Sequence, residues 1–209
     1  MMEYNFDKIK NTIKQFQCEK RYKHTLGVAN EAYELAKIYI PEKANKLKLA
    51  GYLHDISKDF SFEMQIKLCE KYSIDVDISE IAPKLLHSKT GCHFAREIFG
   101  NEIVDDEIFN AILFHTTGRA NMSLFVALLY LADYIEKGRT FIDCVTLRQF
   151  FYSGLENCCT YTEKIDILVK TLLLSYDLTI KNLIDEGKRI DFETIKARNY
   201  YLSDTKFFI

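Results

Sequence analysis

Five histidines stand in a chain of 209 residues, His24, His54, His87, His93 and His115, and one of them is followed directly by an acid. The pair sits in Leu49-Ala50-Gly51-Tyr52-Leu53-His54-Asp55-Ile56-Ser57-Lys58-Asp59. An imidazole nitrogen and a carboxylate oxygen on adjacent residues can ligate one metal ion. The run before them is apolar, so the pair is expected where a helix end leaves a packed core, and Lys58 brings a cation one turn later. A His-Asp dipeptide alone is a weak signal, because polar residues at helix ends are common. Its company strengthens it: His24, His87 and His115 also begin, end or interrupt apolar helical segments, and Asp133 closes a further one.

Each of these residues has neighbours that suit an anion. Arg21 precedes His24 by three positions, which places guanidinium and imidazole on neighbouring parts of one helix face. The bland alternative for Arg21 is surface charge. After the helix carrying His115 come Thr116, Thr117, Gly118 and Arg119, two hydroxyls and a glycine whose backbone can approach an oxyanion, with Arg119 and Arg139 as further charge; the alternative is an ordinary Gly-terminated turn. Asp133 is the only acid among Leu131, Ala132, Tyr134 and Ile135, and a buried carboxylate without a cation is costly. His93 has no ligating neighbour and reads as structural. Nitrogen and oxygen donors converging from several helices suit iron, manganese, cobalt, nickel or zinc better than calcium or magnesium.

The elements that must position these groups are helices. Phe6, Ile9, Ile13 and Phe16 predict an amphipathic helix over Tyr4 to Gln17, packed as a lid on the bundle, and Leu26, Ala29, Tyr33 and Ala36 predict another from Arg21 to Tyr39, closed by Pro41. Glu42 to Leu53 is expected to deliver His54 and Asp55 at its end. Ser61 is the N-cap expected for the next helix. Tyr72 to Ser79 reads as an irregular connection with no sheet. Pro83 opens a short piece ending at His87, with Ser88 as the expected cap of Lys89 to Phe99, so that His87 falls at a helix junction. Helices follow over Asp105 to Phe114 and, capped by Ser123, Leu124 to Tyr134. The last third, with helices ending near Gly154, from Thr162 to Glu186 and from Asp191 to Leu202, has no histidine and reads as a supporting layer that closes one end of a pocket. The whole is expected to be all-α, a single domain over 1–209 with a metal core over about 21–139 and supporting helices over about 141–202.

Composition bounds the rest. With 48% hydrophobic residues, 28% charged, two prolines and eight glycines, the chain can bury a sizeable core and does not read as disordered. A net charge of −2 argues against a nucleic-acid footprint, so an anionic ligand should be small and locally bound. Six cysteines lack CxxC spacing and read as reduced thiols. No apolar run is long enough to span a bilayer and the N-terminus lacks a signal-peptide pattern, so a cytoplasmic location is expected and no membrane partner. The aromatic-rich helical surface is compatible with a homodimer.

A histidine, a His-Asp pair and a distal aspartate on an all-α bundle resemble the HD-domain metal-dependent phosphohydrolases, and His24, His54, Asp55 and Asp133 match that pattern. More closely, Arg21-Tyr22-Lys23-His24-Thr25, Leu53 to Asp59, His87-Ser88, His115-Thr116-Thr117-Gly118, Tyr130 to Glu136 and Ala197-Arg198-Asn199-Tyr200 resemble the YqeK branch, from Arg21 to about Leu202. The resemblance implies an HD-domain helical bundle with an iron site in its core and symmetrical hydrolysis of diadenosine tetraphosphate, a small-molecule nucleotide, to two ADP. Metal ligands would be His24, His54, Asp55 and Asp133, lowering the pKa of a water for attack on an inner phosphorus. Catalytic roles would fall to Asp55, Lys58, His87 and His115. Arg21, Lys58, His87, His115, Thr116, Thr117, Gly118, Arg119 and Arg139 would bind the polyphosphate. Three alternatives share the ligands: a deoxynucleoside monophosphate phosphatase, a dinuclear-iron oxygenase using His87 and His115 for a second metal, and a nucleotide or metal sensor without turnover. Product identity separates them.

Overall fold

A computed structural model describes residues 4–77, 82–203 and 208, and among them there are helices and no strand. The first helix, α1 (Phe6–Ile13), is capped by the Asn5 side chain, which accepts from the Lys8 backbone N–H, and buries Ile9 and Ile13. It packs on the third helix, with Phe6 against Tyr52 at 5.6 Å between ring centroids. Next comes α2 (Glu19–Tyr39), ended at Ile40-Pro41. Proline cannot continue the backbone ladder, and Pro41–Lys43 form a 3-10 turn before α3 (Ala44–Leu53). The expected helix from Glu42 is thus a 3-10 turn followed by an α-helix.

Along α2 and α3 the backbones run close together. Gly51 permits it, since a Cβ there would lie 2.6 Å from the Ala29 Cα. This close crossing brings His54 and Asp55, just past the end of α3, towards His24 in the second turn of α2. Ser61 caps α4 (Phe62–Lys71) as expected, its hydroxyl accepting from the Met64 N–H. A 3-10 turn over Pro83–Leu85 then runs straight into α5 (Leu86–Phe99).

Here one expectation is corrected. Ser88 does not cap a helix at Lys89; its hydroxyl donates to the Leu85 carbonyl at 2.9 Å, and α5 already starts at Leu86. Pro83 sets the first turn and nothing interrupts it afterwards, so His87 lies in the first turn of α5 and not at a junction.

The sixth helix, α6 (Asp106–Phe114), is capped by Asp105. Capped by Ser123, α7 (Leu124–Ile135) is buried on nearly every face, the pattern of a helix at the centre of a core; it touches α2, α3, α6, α8 and α9. The remaining elements are α8 (Ile142–Glu156), α9 (Tyr161–Asp185) and α10 (Phe192–Leu202). Thr160 and Glu163 form a reciprocal capping box at the start of α9. Tyr176 of α9 stacks on Tyr130 of α7 at 5.1 Å and on Tyr201 of α10 at 6.1 Å, and Tyr130 Oη meets Ser175 Oγ at 3.1 Å. That stack fastens the C-terminal helices onto α7.

Candidate metal centre

Four histidines aim one ring nitrogen each at the same place, and three of them do so by a shared local device. His54 Nδ1 donates to the Gly51 carbonyl at 2.7 Å, His115 Nδ1 to the Ile112 carbonyl at 2.7 Å and His87 Nδ1 to the Lys84 carbonyl at 2.6 Å. In each case the acceptor is three residues back, on a carbonyl that a helix end or a 3-10 turn leaves without an α-helical partner. The proton is thereby held on Nδ1, and Nε2 is left as the donor atom. His24 lies inside α2, and its Nδ1 instead meets Glu136 Oε1 at 3.1 Å.

The Nε2 atoms converge on two carboxylates. His24 Nε2 is 3.0 Å from Asp133 Oδ1 and 3.9 Å from Asp55 Oδ2, while His54 Nε2 is 3.4 Å from Asp55 Oδ2 and 3.8 Å from Asp133 Oδ1. On the other side His87 Nε2 and His115 Nε2 lie 3.1 and 3.4 Å from Asp55 Oδ1, and 3.1 Å from each other. Two groups of donors result, His24 with His54 and Asp133, and His54 with Asp55 and His115, each with its ligand atoms within 4.8 Å of one another. His24 Nε2, His54 Nε2 and Asp55 Oδ1 are buried and make no hydrogen bond of proper geometry. Buried polar atoms are ordinarily paired, and this convergent set of imidazole nitrogens and carboxylate oxygens fits a divalent cation.

The electrostatics fit the same reading. Burial alone would raise the Asp55 carboxyl, yet His54, His115 and His87 around it hold it well below the usual range. Asp133 is held down in the same sense, burial being outweighed by Arg139 and His24. Burial opposes charge on His24, but the Asp133 and Glu136 carboxylates beside its ring bring it up to about 9: these carboxylates favour a positive charge, proton or metal, at that ring. Burial pushes His54 down and His87 down to about 4, so both present neutral rings.

A buried polar network holds the turn that carries Asp55. Gln17 Nε2 donates to the Asp55 carbonyl and to Thr25 Oγ1, both at 3.0 Å. Gln65 Nε2 donates to the Ser57 carbonyl at 2.6 Å, and Ser57 Oγ to the His87 carbonyl at 3.0 Å. Neither glutamine stood out in the sequence, because a buried amide within an amphipathic pattern looks like a solvated one.

The donors open into a cleft of about 810 Å³. Asp55, His115 and Asp133 line it, with Arg21, Lys58, Lys84 and Arg139 as cations, while Thr179, Leu183, Arg189 and Thr194 form a wall from α9, α10 and the segment between them. The C-terminal helices do close one end, as expected. Arg21 and Arg139 face the cleft but are already engaged, Arg21 Nη1 with Asp55 Oδ2 at 2.6 Å and Arg139 Nη2 with Asp133 Oδ1 at 2.5 Å. Arg139 is the cation that Asp133 requires. Lys58 Nζ lies 3.1 Å from the ring nitrogens of His87, and burial lowers its pKa.

Thr116 and Thr117 line the cleft, and Thr116 Oγ1 is 3.0 Å from His115 Nε2. Gly118 and Arg119 are not among the lining residues. Gly118 has a φ of +62° and sits against Tyr176, so it serves the turn. Arg119 points away, its guanidinium 4.7 Å from the Phe114 ring centroid. His93 stacks on Tyr72 at 5.2 Å and meets Phe109 edge-on at 4.9 Å, outside the groups of converging donors.

Comparison with known proteins places this arrangement. Residues 21–138 match the HD domain family. The symmetrical bis(5'-nucleosyl)-tetraphosphatase of Staphylococcus aureus is 32% identical over 199 residues, 94% of either chain, and that of Halalkalibacterium halodurans is 41% identical over 138 residues, 66% of this chain and 72% of the other. A crystal structure from Clostridium acetobutylicum, described as a predicted HD superfamily hydrolase involved in NAD metabolism, superposes with a TM-score of 0.81 at 39% identity, covering 98% of this chain and all of that one. No helix among the described residues is long and apolar enough to cross a membrane. With its His-Asp pair, its converging ring nitrogens and this kinship, the chain belongs to the HD-domain family of metal-binding hydrolases.

Proposed function

We propose that the protein hydrolyses diadenosine tetraphosphate symmetrically, yielding two ADP, with a divalent ion held by His24, His54, Asp55 and Asp133. The observation that carries this reading is an adjacency: the buried nitrogen and carboxylate donors open directly into a cleft ringed by Arg21, Lys58, Lys84 and Arg139. A polyphosphate needs both, a cation at the bond that breaks and fixed positive charge along the chain. The name borne by the relatives supports the dinucleotide and the symmetrical cleavage.

A divalent ion at these donors supplies Lewis acidity, acidifying water and drawing charge from a phosphoryl oxygen. The chain's own residues do the rest. Lys58 places a compact charge at the cleft, and because burial disfavours that charge it gains by meeting an anion. Arg21 and Arg139 hold the two carboxylates in place and extend positive charge to the cleft. Water oxygen adds to an inner phosphorus, the bridging P–O bond breaks, and the second ADP leaves on the bridging oxygen. His115 lines the cleft beside Thr116, and its Nε2, left as the accepting end of the ring by the bond from Nδ1 to the Ile112 carbonyl, is placed to take the proton that the water loses and hand it to that oxygen; His87 lies deeper, behind Lys58.

Iron is the proposed ion, with manganese, cobalt, nickel or zinc as substitutes. The six cysteines are all free thiols, which supports work in the reducing cytoplasm. A homodimer is part of the proposal, supported by the exposed side chains of Phe141, Ile142 and Phe192.

The test is to incubate iron-reconstituted protein with diadenosine tetraphosphate under reducing conditions and separate the nucleotides, beside His54→Ala. ADP alone from the wild type and none from the variant is the expected result. AMP with ATP would move the cleavage position, and no product with iron, manganese or cobalt would overturn the substrate. A second reading places another ion between Asp55, His87 and His115, favoured by the approach of both Nε2 atoms to Asp55 Oδ1. The metal-to-protein ratio, compared with that of His115→Ala, decides between one ion and two.

A further inference from the structure

His24 cannot orient itself. The three other inward-facing rings borrow a carbonyl left over at a helix end or turn, but His24 is inside α2, where the carbonyls behind it belong to the helix. What meets its Nδ1 comes from far along the chain: Glu136, at the point where α7 stops and the backbone turns out to φ −55°, ψ 146°. The second oxygen of that carboxylate accepts the Gly138 N–H at 2.6 Å. Glu136 is 3% exposed, and burial of its charge is offset by His24 and the Gly138 N–H, which hold its carboxyl low.

The surroundings are cut to fit this carboxylate. Gly27 lies one helical turn beyond His24, and a Cβ there would overlap Glu136 Oε2; a Cβ at Gly138 would lie 2.9 Å from the same oxygen. From α8, Arg148 grips the turn itself. Its Nε donates to the Ile135 carbonyl at 2.6 Å, and its Nη2 to the carbonyls of Glu136 at 2.5 Å and Arg139 at 2.8 Å. The same short turn therefore carries Glu136 to His24 and Arg139 to Asp133.

We propose that Glu136, seated between Gly27 and Gly138 and held by Arg148, is the positioning residue that fixes the His24 ring with Nε2 facing the metal. A carboxylate is required, because both partners are donors: the His24 Nδ1–H and the Gly138 N–H each need an acceptor oxygen. Glutamine has the shape but one acceptor oxygen, so it can serve only one of them. The proposal rests on His24 being a metal ligand, and the test keeps the two separable.

Manganese(II) affinity is measured by titration of metal-free protein for wild type, Glu136→Gln, Gly27→Ala, the double variant and His24→Ala, with melting curves showing which are folded. The expected result is a Kd raised roughly 10- to 100-fold in Glu136→Gln, the scale for partners behind a metal-bound histidine. Gly27→Ala should shift Kd in the same direction although alanine favours the helix. The double variant should be no worse than the weaker single one, since both act through one carboxylate. At saturating cobalt(II) the visible absorption of Glu136→Gln should shift as the His24 ring turns, a change that a purely structural role would not produce. An unchanged manganese Kd in folded Glu136→Gln beside a lost one in His24→Ala overturns the proposal and leaves His24 a ligand. An unchanged Kd in both overturns the proposal together with the ligand assignment beneath it.

Discussion

The inward-facing histidines divide by where they sit on their helices. His54 and His115 follow the last turn of a helix and His87 occupies a first turn, and each fixes its own ring on a carbonyl three residues back. His24, inside α2, is fixed by Glu136, 112 residues further along the chain. The difference teaches that a helix end orients a ligand at no cost in tertiary structure, because its spare carbonyls need a donor anyway. A ligand in a helix interior depends on the fold being complete. One half of this site is local in origin and the other half is assembled.

The largest break in that comparison removes a proposed ligand from the local half. His54→Ala and Asp55→Ala should empty the site, with metal content by elemental analysis falling to background and turnover with it. Asp55 should be the more damaging, because it touches rings from both groups and its loss leaves Arg21 with only the longer contact to Asp59, at 3.6 Å. Retained metal in both variants would sink the ligand assignment.

Lys58→Met probes the local half from the side of the cleft. The ammonium is 3.1 Å from the His87 ring yet is no ligand, so metal content should hold. The loss of charge facing the polyphosphate should lower kcat by about 10²–10³-fold. Loss of metal instead would mean that Lys58 orients His87 rather than meeting the substrate.

Chelation sharpens the same contrast thermally. If the locally set rings keep their places without an ion, the metal-free protein stays helical and simply melts earlier. At a free metal concentration a hundredfold above Kd the stabilisation is about 2.7 kcal/mol, or roughly 5–10 °C for a domain of this size. Circular dichroism with and without chelator reads both quantities, and loss of helix at room temperature on chelation would show that the local half also depends on the ion.

What was legible in the sequence follows the same division. The helix-end elements were plain: Ser61 and Ser123 cap where expected, and His54-Asp55 and His115 close their helices because apolar periodicity and polar punctuation are both local signals. Ser88 looks like a cap and so points to a helix start at Lys89, one turn late, because Pro83 has already started the helix that holds His87. Glu136 was visible only as part of a motif, without a role, since its partner lies 112 residues away. Arg21 and Arg139 read as phosphate ligands, and the pairing that engages them with Asp55 and Asp133 is purely tertiary. Gln17, Gln65 and Arg148 carried no signal, because hydrogen bonds to backbone carbonyls leave no spacing to read.

The smallest expected effect tests whether a mid-helix histidine needs an outside carboxylate to become a ligand. His93 is, like His24, interior to its helix, but what reaches it is aromatic: Tyr72 stacks at 16° and Phe109 meets it at 87°. Burial lowers its pKa, so the ring packs as a neutral disc. His93→Ala should therefore cost only the packing, about 0.5–1.5 kcal/mol for the lost aromatic pairs, seen as a small drop in melting temperature. Metal content and turnover should be unchanged. Were the metal to leave with His93, position on a helix would not decide which histidines serve the site, and the contrast between His24 and the helix-end rings would lose its basis.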